Sequence, residues 1–175
     1  GDWSSDVCSS DLHQAMDSYC LTEKEMEAGE TMYRNHNRRC YTHTWPPAFY
    51  TSSAFCWAYI KYKTMQRYPE IYNLVTRAMA YSHPRVGDVK HVLLMGGGPG
   101  FGAQAVRDAL GNDELDVLNV DQAEMLGRVS KYFGCEFSER DFNQHEDMLA
   151  LTDRCDLIVS SYSIRYIQQI GRAHV

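Results

Sequence analysis

From Lys90 onward, short apolar runs alternate with mixed segments along the chain. Val92-Leu93-Leu94-Met95, Leu115-Asp116-Val117-Leu118-Asn119-Val120-Asp121 and Leu157-Ile158-Val159 are each bounded by glycine, polar or charged residues. Runs of that length predict strands, and the stretches between them predict helices. That is the signature of crossover units and a parallel sheet. Upstream the signals are helical. Thr22 with Glu25 predicts a capping box, Pro46-Pro47 a helix start, and Tyr68-Pro69 a break between two helices. Ile71, Leu74, Val75, Ala78 and Met79 fall at the three-and-four spacing of one buried helix face. His83 to Asp88 is a breaker cluster linking the helical region to the first strand. The expected fold class is therefore α/β, a parallel sheet with flanking helices preceded by a helical region. There is no internal repeat.

Composition narrows the picture modestly. The 175 residues carry a formal charge of −6, which excludes a uniformly basic nucleic-acid binder but not a local basic patch. No stretch of eighteen or more apolar residues occurs, so no membrane span is expected. Of the six cysteines, Cys8 falls in a terminal segment set apart below. Cys20, Cys40, Cys56, Cys135 and Cys155 remain, an odd number without a paired-cysteine motif. That pattern predicts a reducing intracellular compartment, the organelle being left open.

The chemistry concentrates where Met95 runs into Gly96-Gly97-Gly98-Pro99-Gly100-Phe101-Gly102. Glycines after a strand and before a helix let the backbone approach a ligand, and the helix start presents free amides. Glycine-rich turns also serve packing alone. Asp121, at the carboxyl end of the second strand, can accept two hydrogen bonds from a ribose diol. With both features in place, the segment resembles the class I S-adenosylmethionine-dependent methyltransferases, whose fold is a Rossmann-like parallel sheet. It matches their first motif at Gly96, Gly98 and Gly100 and their second at Asp121. Phe137 to Phe142 resembles their third strand. The resemblance implies that Asp141 receives the adenine amino group while Phe142 covers an adenine face. Asp141 also reads as a solvated turn acid. Cys155 to Tyr162 resembles the fourth strand and the loop beside the transferred methyl, which includes Ser161. The implied cofactor is S-adenosyl-L-methionine, with Gly96, Gly98, Gly100, Asp121, Asp141, Phe142 and Ser161 around it. One departure stands out, since Leu94 occupies the place of an acid that helps hold the methionine amino group.

The catalytic residues and the acceptor are not specified. No proline-cysteine pair of the kind used for carbon-5 pyrimidine methylation is present. Ser160-Ser161-Tyr162-Ser163 does not match the acid-proline-proline-aromatic loop that serves exocyclic base amines. Tyr162 and Arg165 are candidates to line the acceptor side, with packing beneath a following strand as the alternative for Tyr162. Two other classes stay open. A nicotinamide-dependent oxidoreductase fingerprint is met only through Gly98, Gly100 and Ala103, and Leu94 leaves room for a catalytically inactive binding or assembly module.

The acceptor hint lies in residues 31–69. Arg34, Arg38, Arg39, Lys61, Lys63 and Arg67 are interleaved there with Tyr33, Tyr41, Trp45, Phe49, Tyr50, Phe55, Trp57, Tyr59, Tyr62 and Tyr68, without an acid. Such a pattern either holds RNA or forms a helical core with a solvated basic face. His36, Cys40 and His43 lack a fourth ligand, so no metal is expected.

Both ends of the chain resemble translated sequencing-adapter sequence. Written as GAC GTG TGC TCT TCC GAT CT, Asp6 to Leu12 has a reverse complement that reads Ile-Gly-Arg-Ala-His-Val, the residues found at 170–175. Residues 1–12 and 170–175 are therefore expected to be non-native, 13–87 a helical region, and 88–169 a partial S-adenosylmethionine-binding domain. The family's strand order, third-second-first-fourth-fifth-seventh-sixth, makes the fourth strand interior. The sheet is thus expected to be incomplete after the fourth strand, with Leu157-Ile158-Val159 as an open apolar edge.

Overall fold

The computed structural model describes residues 5–39, 45–81, 88–141 and 145–161. Helix α1 (Ser5–Asp17) leads to α2 (Glu23–Arg39), a 3-10 turn (Pro47–Thr51) and the long α3 (Ser53–Tyr81). There follow β1 (His91–Met95), α4 (Gly102–Leu110), β2 (Asp116–Asp121), α5 (Glu124–Gly127), a second 3-10 turn (Ser130–Phe133), β3 (Glu136–Glu139), α6 (His145–Thr152) and β4 (Leu157–Ser160). The four strands form one parallel sheet in the order β3-β2-β1-β4, a Rossmann-like α/β arrangement.

Strand alternation sends the apolar side chains to two unequal faces. Val92, Leu94, Val117 and Val159 join Phe55, Ile60, Ile71, Val75, Ala103 and Val106 in one continuous core, so the upstream helices and the sheet share their interior. Leu12, within the segment read as adapter-coded, packs against that core too. The opposite face centres on Leu93, Val120 and Met148, with Leu151 beside them. Among the described residues β4 ends the sheet on one side, and its Ile158 is 44% exposed.

Several local expectations hold and others need correction. Thr22 and Glu25 form the reciprocal box, with Thr22 N–H donating to Glu25 Oε2 (2.8 Å) and Glu25 N–H to Thr22 Oγ1 (3.4 Å). Pro47 opens a 3-10 turn, and α3 begins only at Ser53. The break expected at Tyr68-Pro69 is absent, because α3 runs through Pro69. Proline removes the donor for the carbonyl four residues back, and here that residue, Met65, is 75% exposed. The predicted face of α3 is also narrower than expected. Ile71 and Val75 are buried, but Leu74 and Ala78 are exposed, since this half of the helix packs along one line on α4.

The aromatic segment is largely core. Tyr33, Trp45, Phe55 and Trp57 are buried, with Phe49, Tyr50, Tyr59 and Tyr62 packed around them. Three of its cations meet acids that flank the segment, Arg34 and Lys61 pairing with Glu30, and Arg67 with Glu70, while Lys63 donates to Gln66 Oε1 (2.9 Å).

Candidate functional site

Parallel pairing brings the carboxyl ends of all four strands to one edge, where ligands of such sheets bind. Gly96 N–H donates to Val120 O (2.8 Å), extending the β1–β2 ladder by one residue. The chain then turns, and Gly96, Gly98 and Gly100 all adopt positive φ, at 67°, 57° and 96°. A side chain at any of them would be strained.

Asp121 fastens this turn to the end of β2. Its Oδ2 accepts from Gly98 N–H and its Oδ1 from Ala123 N–H, both at 2.9 Å. Burial pushes the Asp121 carboxyl above the usual carboxylate range, opposed by these amides and that of Gln122. Asp141 lies two residues beyond β3 and accepts from Gln122 Nε2 (2.7 Å), which places it next along the edge from Asp121. The register pairs Met95 with Ser160, so Ser161 follows directly beside Gly96. Asp141, Asp121, Gly96 and Ser161 thus lie in order across β3, β2, β1 and β4. Phe142, Tyr162 and Arg165 lie outside the described residues, as do Cys40, His43 and the side chain of His36.

Beneath the turn sits a polar residue that pattern reading passed over. Asn119 is fully buried in β2, and its Nδ2 donates to Gly98 O (2.8 Å) and Ser130 Oγ (2.9 Å). Its Oδ1 is buried without a hydrogen-bond partner and lies 2.3 Å from where a Cβ on Gly97 would stand. The one available signal was an amide inside an otherwise apolar strand, two residues before Asp121. Gly100 is confined from the other side, because its Cβ would meet Cys135 Sγ at 2.5 Å. Burial pushes the Cys135 thiol up to about 11, so it is protonated at neutral pH and is no nucleophile.

Helix α3 closes the cleft from the upstream side. Tyr59 stacks on Phe101 with ring centroids 6.2 Å apart, and its Cε1 lies 3.9 Å from the position of a Cβ on Gly98. Burial raises the Tyr59 hydroxyl well above its ordinary value, with the Asp121 charge adding to the rise and Arg67 opposing it. Leu94, where the resembled family carries an acid, is 2% exposed and belongs to the sheet core.

Compared with protein families, curated proteins and solved structures, the chain matches none. Among the described residues no helix is long and apolar enough to cross a membrane.

Proposed function

We propose that this chain carries the cofactor-binding part of an S-adenosylmethionine-dependent methyltransferase whose acceptor is an RNA or a small molecule. The observation that supports it most is the 2.9 Å bond from Gly98 N–H to Asp121 Oδ2, which joins the glycine turn to the acid at the end of β2. A carboxylate offers about four lone-pair sites, so the Gly98 and Ala123 amides leave Asp121 acceptor capacity for a ribose diol. The residues therefore fit the nucleoside part of the cofactor. When bound, S-adenosylmethionine supplies a methyl already activated on a sulfonium, so the protein's task is to bind and orient. In this reading Asp121 holds the ribose, and the turn of Gly96, Gly98 and Gly100 admits the ligand close to the backbone. Asp141 takes the adenine amino group with Phe142 on its face, and Ser161 borders the methyl end.

Leu94 favours a second reading, a methyltransferase-like module that binds cofactor or RNA without catalysis, because its buried side chain offers no charge to the amino-acid end. Calorimetric titration with S-adenosylhomocysteine and with NADH tests both readings and the oxidoreductase alternative. The expected result is binding of the former alone, weakened in Asp121→Ala by the roughly 1.5–3 kcal/mol of charge-assisted hydrogen bonds. Equal affinity in Asp121→Ala removes Asp121 from the site, and preference for NADH overturns the methyltransferase reading. Cofactor binding without methyl transfer to any acceptor pool assigns the inactive module.

A further inference from the structure

Along β2, Leu115, Val117, Asn119 and Asp121 alternate to one face of the chain. Leu115 and Val117 belong to the core that the sheet shares with the upstream helices. The next position on that face is an amide, 0% exposed. Asn119 stands there at a cost, since its Oδ1 is buried without a hydrogen-bond partner and an apolar side chain would carry no such penalty. The compensation lies at its other end. In the glycine turn, Gly97 O accepts from Gly100 N–H and Gly100 O from Ala103 N–H, both at 3.0 Å. Gly98 O is served instead by Asn119 Nδ2, at 2.8 Å.

Gly98 is thereby gripped at both of its peptide groups from a single strand. Asn119 takes its carbonyl, and Asp121, two residues further along, takes its N–H at 2.9 Å. Between the two grips φ is 57°, a conformation that glycine permits but does not by itself select. The amide is anchored in turn, because its second hydrogen goes to Ser130 Oγ (2.9 Å) and Ser130 O accepts from Cys135 N–H (3.2 Å), just before β3. We infer that Asn119 is a positioning residue of the proposed cofactor site, holding the Gly98 peptides so that the turn and the Asp121 carboxylate are set in their binding orientation before a ligand arrives. It acts through Gly98 and Asp121 and contacts no ligand itself. The identity of that ligand rests on the methyltransferase reading above.

The test follows Gly98 and the ligand separately on the full chain. Asn119→Val removes the donor and keeps a residue suited to a buried strand. Ser130→Ala removes the other bond of the same amide and leaves Gly98 O its partner. In amide hydrogen exchange, Asn119→Val is expected to speed exchange at Gly98 about tenfold or more while β1 and β2 keep wild-type rates. In calorimetry it is expected to weaken S-adenosylhomocysteine about fivefold or more, and Ser130→Ala to move affinity by less than about twofold. In an Asp121→Ala background, Asn119→Val should cost little further affinity, because its effect passes through that carboxylate. Wild-type exchange at Gly98 in Asn119→Val overturns the inference. So does faster exchange spread evenly over Gly98, β1 and β2, since Asn119 is then a core residue and nothing more. Faster Gly98 exchange with unchanged affinity, or full additivity with Asp121→Ala, overturns it as well. Should Asn119→Val not fold, Asn119→Ser, too short to reach Gly98 O, is judged by the same outcomes. If wild type binds no S-adenosylhomocysteine, the methyltransferase reading falls, while Gly98 exchange still decides whether Asn119 orders the turn.

Discussion

At Gly97 the limit is set by a neighbour, whereas at Gly111 it is set by the backbone. A Cβ on Gly97 would stand 2.3 Å from Asn119 Oδ1, and Asn119 is held by Gly98 O and Ser130 Oγ, so it cannot swing away. Gly111 has φ of 64° and nothing within 4 Å of its Cβ position. Gly111→Ala should therefore cost only the left-handed penalty of about 1–2 kcal/mol. Gly97, whose φ is not positive, carries no such penalty, so Gly97→Ala costs overpacking of about 1–3 kcal/mol against a buried amide, and it should tilt the turn that carries Gly98. Denaturant melts of the two variants check this, and a wild-type midpoint for Gly97→Ala would show that Asn119 yields. Asn119 was not legible as a site residue because its importance lies in what it touches across the turn. Asp121 was legible because a strand-end acid after a glycine turn has a chemistry of its own.

Among the elements, α3 departs most from its sequence signals. A proline inside a helix costs about 3 kcal/mol relative to alanine, yet α3 continues past Pro69, carried by its packing on α2 and α4. Tertiary packing overrode a local rule, and a single sequence does not display the packing partners. Pro69→Ala restores a donor for Met65 O, and is expected to raise stability by about 1–2 kcal/mol in the same melts. No gain would mean that the proline ring's own packing offsets the recovered bond. The sheet was more legible than the helices. Its strands read from short apolar runs, and their order of β3-β2-β1-β4 agrees with that implied by the resemblance. Strand ends were less so. β3 stops at Glu139, two residues before Asp141, because pairing with β2 ends at Asp121. The capping box was legible because both of its partners lie within four residues.

For the molecule as a whole, one clamp spans the sheet. Asp156 Oδ2 accepts from the N–H groups of Lys90 and His91, both at 2.9 Å, tying the start of β4 to that of β1. These amides hold the Asp156 carboxyl below its usual range. A carboxyl depressed in the folded state contributes stability that is present above its unfolded value and is lost as pH falls through the folded one. Asp121 has the opposite sign, since burial raises it. The melting temperature is thus expected to drop on acidification below about pH 4. Asp156→Asn, which keeps an acceptor oxygen without the charge, should flatten that acid limb. An unchanged limb would place the proton uptake elsewhere. The same clamp also has a bearing on time. His91 meets Asp116 across 25 residues but Asp156 across 65. Closing the longer loop costs about 0.8 kcal/mol more chain entropy, a factor of roughly four in rate. The β1-α4-β2 unit is therefore expected to nucleate folding and β4 to dock afterwards. In stopped-flow kinetics, Val117→Ala should then slow refolding, while Asp156→Asn should mainly hasten unfolding. The carboxylate that joins the two strands acts as a latch, setting how long the folded molecule lasts more than how quickly it forms.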